Sequence, residues 1–223
     1  ILLKLNHDPI LRRTGYHTLL LFILLAVFNS AAAQCPPNID FENGTFDGWV
    51  PYAGNVSEVA GIVLNPLPFP SEDHQMIIAA SNHTNDYYGG FPIACPNGSN
   101  FSVKLGNTDG NAGAEGISYT FTIPAQAHEF SLTYYYAVGF QDPGHLSNQQ
   151  PRLEIEVKNL TDNTTFGCSS FSFIATGGLP GFSMSSKFKP GDATRTPVWY
   201  KDWSANSINL DGNEGKTIQI FFK

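Results

Sequence analysis

The sequence predicts an all-β protein, an antiparallel two-sheet β-sandwich of jelly-roll type. Three observations predict it. Apolar and polar residues alternate with a period of two in several short runs, Gly/Asn/Asp turn chemistry separates the runs, and no stretch after Gln34 keeps a helical spacing for three turns. Composition agrees: of 223 residues only 14% are charged and 13% are aromatic, with 21 glycines and 15 prolines. So little charge argues against disorder or long solvated helices, and so many turn formers favour short strands.

The strands can be taken in order. Ile117, Tyr119, Phe121 and Ile123 alternate with Ser118, Thr120 and Thr122, the mark of a strand with one buried face, and Pro124 ends it. Phe130, Leu132, Tyr134, Tyr136 and Val138 repeat the pattern, as do Leu153, Ile155 and Val157 against Arg152, Glu154, Glu156 and Lys158. Phe171 with Phe173, Ile208 with Leu210, and Ile218 with Ile220 and Phe222 extend it. Asn43-Gly44, Asn65-Pro66, Asn97-Gly98, Asp109-Gly110, Asp142-Pro143-Gly144 and Asp211-Gly212 supply the turns, so ten to twelve short strands are expected. Asp-Gly-Asn-x-Gly occurs at 109–113 and 211–215, each time before a strand. Calcium loops of the EF-hand type place an oxygen ligand where these have glycine, so a glycine-permitted turn is the expectation.

The first thirty-three residues read as an export signal. Arg12 and Arg13 precede an apolar run from Leu19 to Phe28, which is followed by Asn29, Ser30 and three alanines. That run is too short to cross a bilayer, which takes about 20 apolar residues in a helix. Cleavage after Ala33 removes Lys4, Arg12, Arg13 and Asp8 and leaves 9 basic and 18 acidic groups. The expected organisation is a signal peptide over 1–33 and a single sandwich domain over 34–223, secreted or at the cell surface.

Charge and cysteines narrow the partners. Nineteen acidic against twelve basic side chains give the whole chain −7, which argues against nucleic acid because phosphate binding needs clustered Lys and Arg. Cys35, Cys95 and Cys168 are disulfide candidates in an exported chain, with the pairing open and one necessarily left over. Their spacing does not suit zinc.

Candidate chemistry is sparse. Leu153-Glu154-Ile155-Glu156-Val157 comes nearest to a paired-carboxylate strand of the glycosidase type, but alternation makes two solvent-facing acids flanked by cations the simpler reading. Gly181-Phe182-Ser183-Met184-Ser185 fails the G-x-S-x-G pattern at its last position. His74, His83, His128 and His145 lack metal spacing and read as loop or surface residues. The loop from Gln141 to Arg152 gathers Asp142, His145, Gln150 and Arg152, a set suited to a polar ligand such as a glycan, or to bonding the loop to itself. Trp203 with Trp199 and Tyr200 offers a sugar-stacking surface, although adjacent strand residues face opposite ways. Trp49 reads as a buried anchor. Sequons at Asn43, Asn55, Asn82, Asn97, Asn100, Asn159 and Asn163 mean little in a bacterial chain and do not by themselves decide the kingdom.

The segment from Asn38 to Trp49, Asn-Ile-Asp-Phe-Glu-Asn-Gly-Thr-Phe-Asp-Gly-Trp, resembles the opening strand of MAM-type and carbohydrate-binding jelly rolls. Trp203 to Phe222 is similar to their closing stretch, including Gly215-Lys216-Thr217-Ile218-Gln219-Ile220. With Ser102 to Asn107, Ser118 to Thr122, Tyr135 to Val138, Asp142 to His145 and Gln150 to Arg152, the chain resembles the N-terminal domain of large secreted Bacteroidetes surface proteins. Such proteins continue into PKD or Ig-like repeats and a type IX secretion, gliding-motility-associated C-terminal domain. The resemblance implies that 34–223 lacks its last strand and the partner of one cysteine. It also implies that Glu42 matches one ligand of a structural calcium, the second ligand being unmatched. The function expected is a non-catalytic surface module for adhesion to a glycan or other extracellular polymer, with no cofactor required. The alternatives are a purely structural cap of a repeat protein and, least favoured, a glycoside hydrolase.

Overall fold

A computed structural model describes residues 35–126 and 129–223; the export-signal reading over 1–33 and His128 lie outside the described residues. The described chain is all-β and antiparallel. Its twelve strands are β1 (Trp49–Ser57), β2 (Gly61–Pro66), β3 (His74–Ile78), β4 (Phe101–Leu105), β5 (Gly113–Thr122), β6 (Ser131–Gln141), β7 (Arg152–Asn159), β8 (Thr164–Thr165), β9 (Phe171–Ile174), β10 (Ser183–Met184), β11 (Val198–Asn209) and β12 (Thr217–Phe222). One layer is a seven-stranded sheet, β2-β1-β5-β12-β7-β8 with β9 also on β7. The other strands form two smaller sheets, β10-β11-β6 and the antiparallel pair β3-β4. No helix among the described residues is long and apolar enough to cross a membrane.

The alternating runs become the faces of these sheets. Ile117, Tyr119 and Phe121 of β5, Ile155 and Val157 of β7, and Ile218 and Ile220 of β12 form one buried surface, and Ile208 and Leu210 meet it from the smaller sheet. Each aliphatic side chain so buried contributes about 1.5–3 kcal/mol, which is why the longest alternating runs sit at the centre. β12 lies between β5 and β7, with Ile220 opposite both Tyr119 and Val157. A second cluster of Val138, Phe140 and Ala175 packs with Phe173 and Phe182 at the end of β6 toward Gln141.

Six strands lack the alternation and were not visible as runs: β8 and β10 are two residues each, and β1 to β4 are irregular. In β1, Pro51 interrupts the pattern, yet it sits one residue past the last β1–β2 pair, Tyr52 with Pro66. Its carbonyl accepts from Leu67 N, so its missing N–H falls where the β2 ladder has ended. β1 and β2 also approach so closely that a Cβ at Gly54 would lie 1.9 Å from the carbonyl oxygen of Val63. β2, β3 and β4 are five or six residues each and only half-buried, too short and mixed for period-two detection.

The entry turn is tied down by side chains. Trp49 is buried, stacks on Phe41 at 4.4 Å and donates its indole N–H to Asn38 O, which makes it the anchor its sequence context suggests. At Gly44 a φ of +68° favours glycine, and the Phe101 ring lies 3.0 Å from where a Cβ would be.

Candidate functional site

One end of the sandwich collects four loops, and side chains hold them together. Lys189 donates to Thr108 O, Gln141 Nε2 donates to Asp192 at 3.0 Å, and Gln149 Nε2 donates to Glu58 Oε1 at 2.8 Å. The loops after β1, before β5, after β6 and before β11 thereby share one surface. Between them lies an open cleft of about 350 Å³ lined by Gly110, Gln141, Lys189, Gly191, Asp192 and Thr196.

Asp192 is the best-organised group in the cleft. One carboxylate oxygen accepts from the N–H and hydroxyl of Thr194, the other from Thr196 N at 3.0 Å and Gln141 Nε2. The hydrogen bonds from Thr194 and Thr196 hold its carboxyl well below the usual range, so it stays ionised at any ordinary pH. Sequence reasoning missed it. The signal was present in Pro190-Gly191-Asp192-Ala193-Thr194-Arg195-Thr196, where an aspartate precedes hydroxyls at two and four residues, the composition of an Asx-type turn.

The loop proposed from sequence adjoins this cleft through Gln141, but its polar groups are largely turned on themselves. Asp142 N donates to Pro197 O, and Asp142 Oδ1 accepts from Gln150 Nε2 at 2.8 Å. Arg152 donates to Gln150 O at 3.3 Å and to Ser147 O, and lies 3.6 Å from Glu154. His145 is exposed. Gln150 is buried with its Oε1 unpartnered.

Trp203 is not part of this set. It occupies a bulge in β11 between Lys201 and Ser204, five residues from Val198, which pairs with Gln141. At about 3.3 Å per residue that is roughly 16 Å along the strand. Its indole N–H donates to Pro92 O at 2.7 Å and so fastens the 85–95 loop. Tyr200 packs against Phe91 under the same loop, while Trp199 pairs with Phe140 on the opposite face, so the three aromatics make no common platform.

Glu42 accepts from Asn100 N, Asn100 Nδ2 and Phe101 N, and no group of His, Cys, Asp and Glu suited to a metal gathers among the described residues. At 211–215 the turn reading holds: Gly212 and Gly215 have positive φ, and Asp211 caps Phe130 N. Glu154 and Glu156 are flanked by cations, with Lys158 and Lys223 each 2.9 Å from Glu156. His74 corrects its surface reading. It is 4% exposed in β3 with both ring nitrogens bonded, to Gly116 O at 2.9 Å and Ser71 Oγ at 2.8 Å, and the Gly116 partner that lets the imidazole be buried lies 42 residues away in sequence. Cys35, Cys95 and Cys168 are not bonded to one another in the structure, and Cys35 and Cys168 are exposed.

Compared with protein-family models, curated proteins and solved structures, the chain has no match.

Proposed function

We propose that this chain is a secreted, non-catalytic surface module that binds a glycan or another polar extracellular polymer through the loop end of its sandwich. The observation that carries the reading is the cleft beside Gln141. An ionised carboxylate fixed by four donors, an ammonium, an amide and a hydroxyl face one open space of about 350 Å³. A sugar hydroxyl that takes the place of Gln141 Nε2 donates to the fixed carboxylate while its vicinal neighbour accepts from the ammonium, and a carboxylate already oriented loses little freedom on binding. The resemblance of Asn38–Trp49 and Trp203–Phe222 to carbohydrate-binding jelly rolls, and the export signal over 1–33, support the same reading.

A structural cap is the second reading, favoured by the way Asp142, Gln150 and Arg152 bond within their own loop. Binding of the full chain to an array of neutral and acidic glycans separates the two. Retention that falls at least tenfold in Asp192→Ala or Lys189→Ala supports the module; an array with no signal above background leaves the cap.

A further inference from the structure

The layer opposite the seven-stranded sheet is interrupted beside β6. On one side β6 pairs with β11; on the other no described strand pairs with it. Phe130 O accepts from Leu210 N and Asp142 N donates to Pro197 O, so the even-numbered residues of β6 aim their backbone groups at β11. By alternation Ser131, Thr133 and Tyr135 aim their N–H and C=O groups away, and no described backbone group bonds to them. An exposed row of this kind is a template for another strand.

Beside that row lies an apolar groove of about 100 Å³, bounded by Ile39, Trp49, Leu132, Tyr134, Ile220 and Phe222. Thr133 also lines it, and since the Thr133 hydroxyl bonds Ser207 on the exposed face, the backbone of Thr133 is what meets the groove. The Trp49 N–H is already used on Asn38 O, so the floor is apolar and sized for one aliphatic side chain. Its rim is acidic. Asp40 lines it, Glu42 is two residues on, and from Cys35 to Val103 the chain has seven carboxylates and no Lys or Arg.

We propose that the free edge of β6 receives one extended peptide strand from a partner protein, which places an aliphatic side chain in this groove and a basic side chain against Asp40. Only an extended polypeptide offers donors and acceptors at the spacing of Ser131, Thr133 and Tyr135, and side chains at alternate positions supply the selectivity. The acidic rim selects for cationic flanks and against a second copy of this acidic chain.

The test uses the full chain and a short labelled peptide in which Val and Ile alternate with Thr between terminal lysines. Binding at least tenfold tighter than for a scrambled peptide or one with terminal aspartates is expected, read by fluorescence anisotropy. Hydrogen exchange at the amides of Ser131, Thr133 and Tyr135 should slow on peptide addition. Thr133→Pro should abolish binding with the melting temperature retained, because that N–H is not used in the ladder to β11. Equal affinity for the scrambled peptide overturns the proposal. So does protection of the three amides before peptide is added, whether in a monomer whose edge is already covered or in a dimer joined there.

Discussion

The indole N–H of Trp49 donates to the carbonyl oxygen of Asn38 at 3.0 Å, and Asn38 itself sits in the left-handed region at φ 56°. Its buried side chain donates to Thr45 O and Asp47 O and accepts from Asn43 N, so one residue fixes both ends of the entry turn. Asn is among the few residues besides glycine that adopt this conformation readily.

Asn38→Ala should therefore destabilise the chain by about 2–4 kcal/mol, the sum of a strained backbone and buried groups left unpaired. Asn38→Gly keeps the backbone conformation and loses only the side-chain bonds, so it should cost less than the alanine variant. Urea denaturation followed by tryptophan fluorescence measures both, and a glycine variant no better than alanine would remove backbone strain from the account.

The ends of the pH range load different residues. Burial opposes ionisation of Glu156, but Lys158 and Lys223 overcome it and hold its carboxyl below the ordinary 4.5. The unfolded chain then binds its proton first, so this contribution is complete above pH 4.5 and is lost as the pH falls through the folded value. Burial pushes Tyr134 up to about 12, against the hydrogen bond from Asn206. The folded chain keeps that proton longer, so stability should decline as pH rises from 10 toward 12. In denaturant titrations, Glu156→Gln should flatten the acid limb alone and Tyr134→Phe the alkaline limb alone.

Strands that bury one face completely were legible, and strands that do not were hidden. The runs at Ile117 to Ile123 and Ile218 to Phe222 declare themselves because every second side chain enters the core. β3 and β4 form a separate half-buried pair, and β1 carries Pro51 and Gly54, residue types that ordinarily interrupt a strand, although a ladder that ends at Tyr52 and a close approach to Val63 accommodate them. The candidate site was only partly visible for a similar reason. Asp142, Gln150 and Arg152 have the right chemistry, but whether a polar loop faces a ligand or itself depends on the geometry of its hydrogen bonds. Asp192 lies fifty residues from Asp142, and only the pairing of Gln141 with Val198 brings its loop to the same end.

The three free thiols should react at unequal rates. Cys35 and Cys168 are exposed, whereas burial raises the Cys95 thiol above its ordinary value despite a backbone hydrogen bond from Asn97. Because the thiolate is the nucleophile, Cys95 should be alkylated by iodoacetamide more slowly than the other two at neutral pH, by about tenfold or more. Peptide mapping after timed quenching reads this directly. Fewer than three alkylatable cysteines in native protein without reductant would show that a pair closes after all.

Asp192 offers the sharpest separation of binding from stability. Its carboxylate organises the 189–196 loop through Thr194, Thr196 and Gln141, but it is a surface group and the loop carries none of the buried core. Asp192→Asn keeps the shape and two of the acceptor contacts while removing the charge, and Asp192→Ala removes both. If the cleft binds sugar hydroxyls through a charged acceptor, each variant should lose at least tenfold in glycan affinity, with melting temperatures within about 2 °C of the parent, as expected for substitutions away from the core. Lys189→Ala should lose affinity as well, and more for an acidic glycan than for a neutral one. Were the loop only a strut, Asp192→Ala would lower the melting temperature and leave binding unchanged, because the ligand would then be held elsewhere on the sandwich.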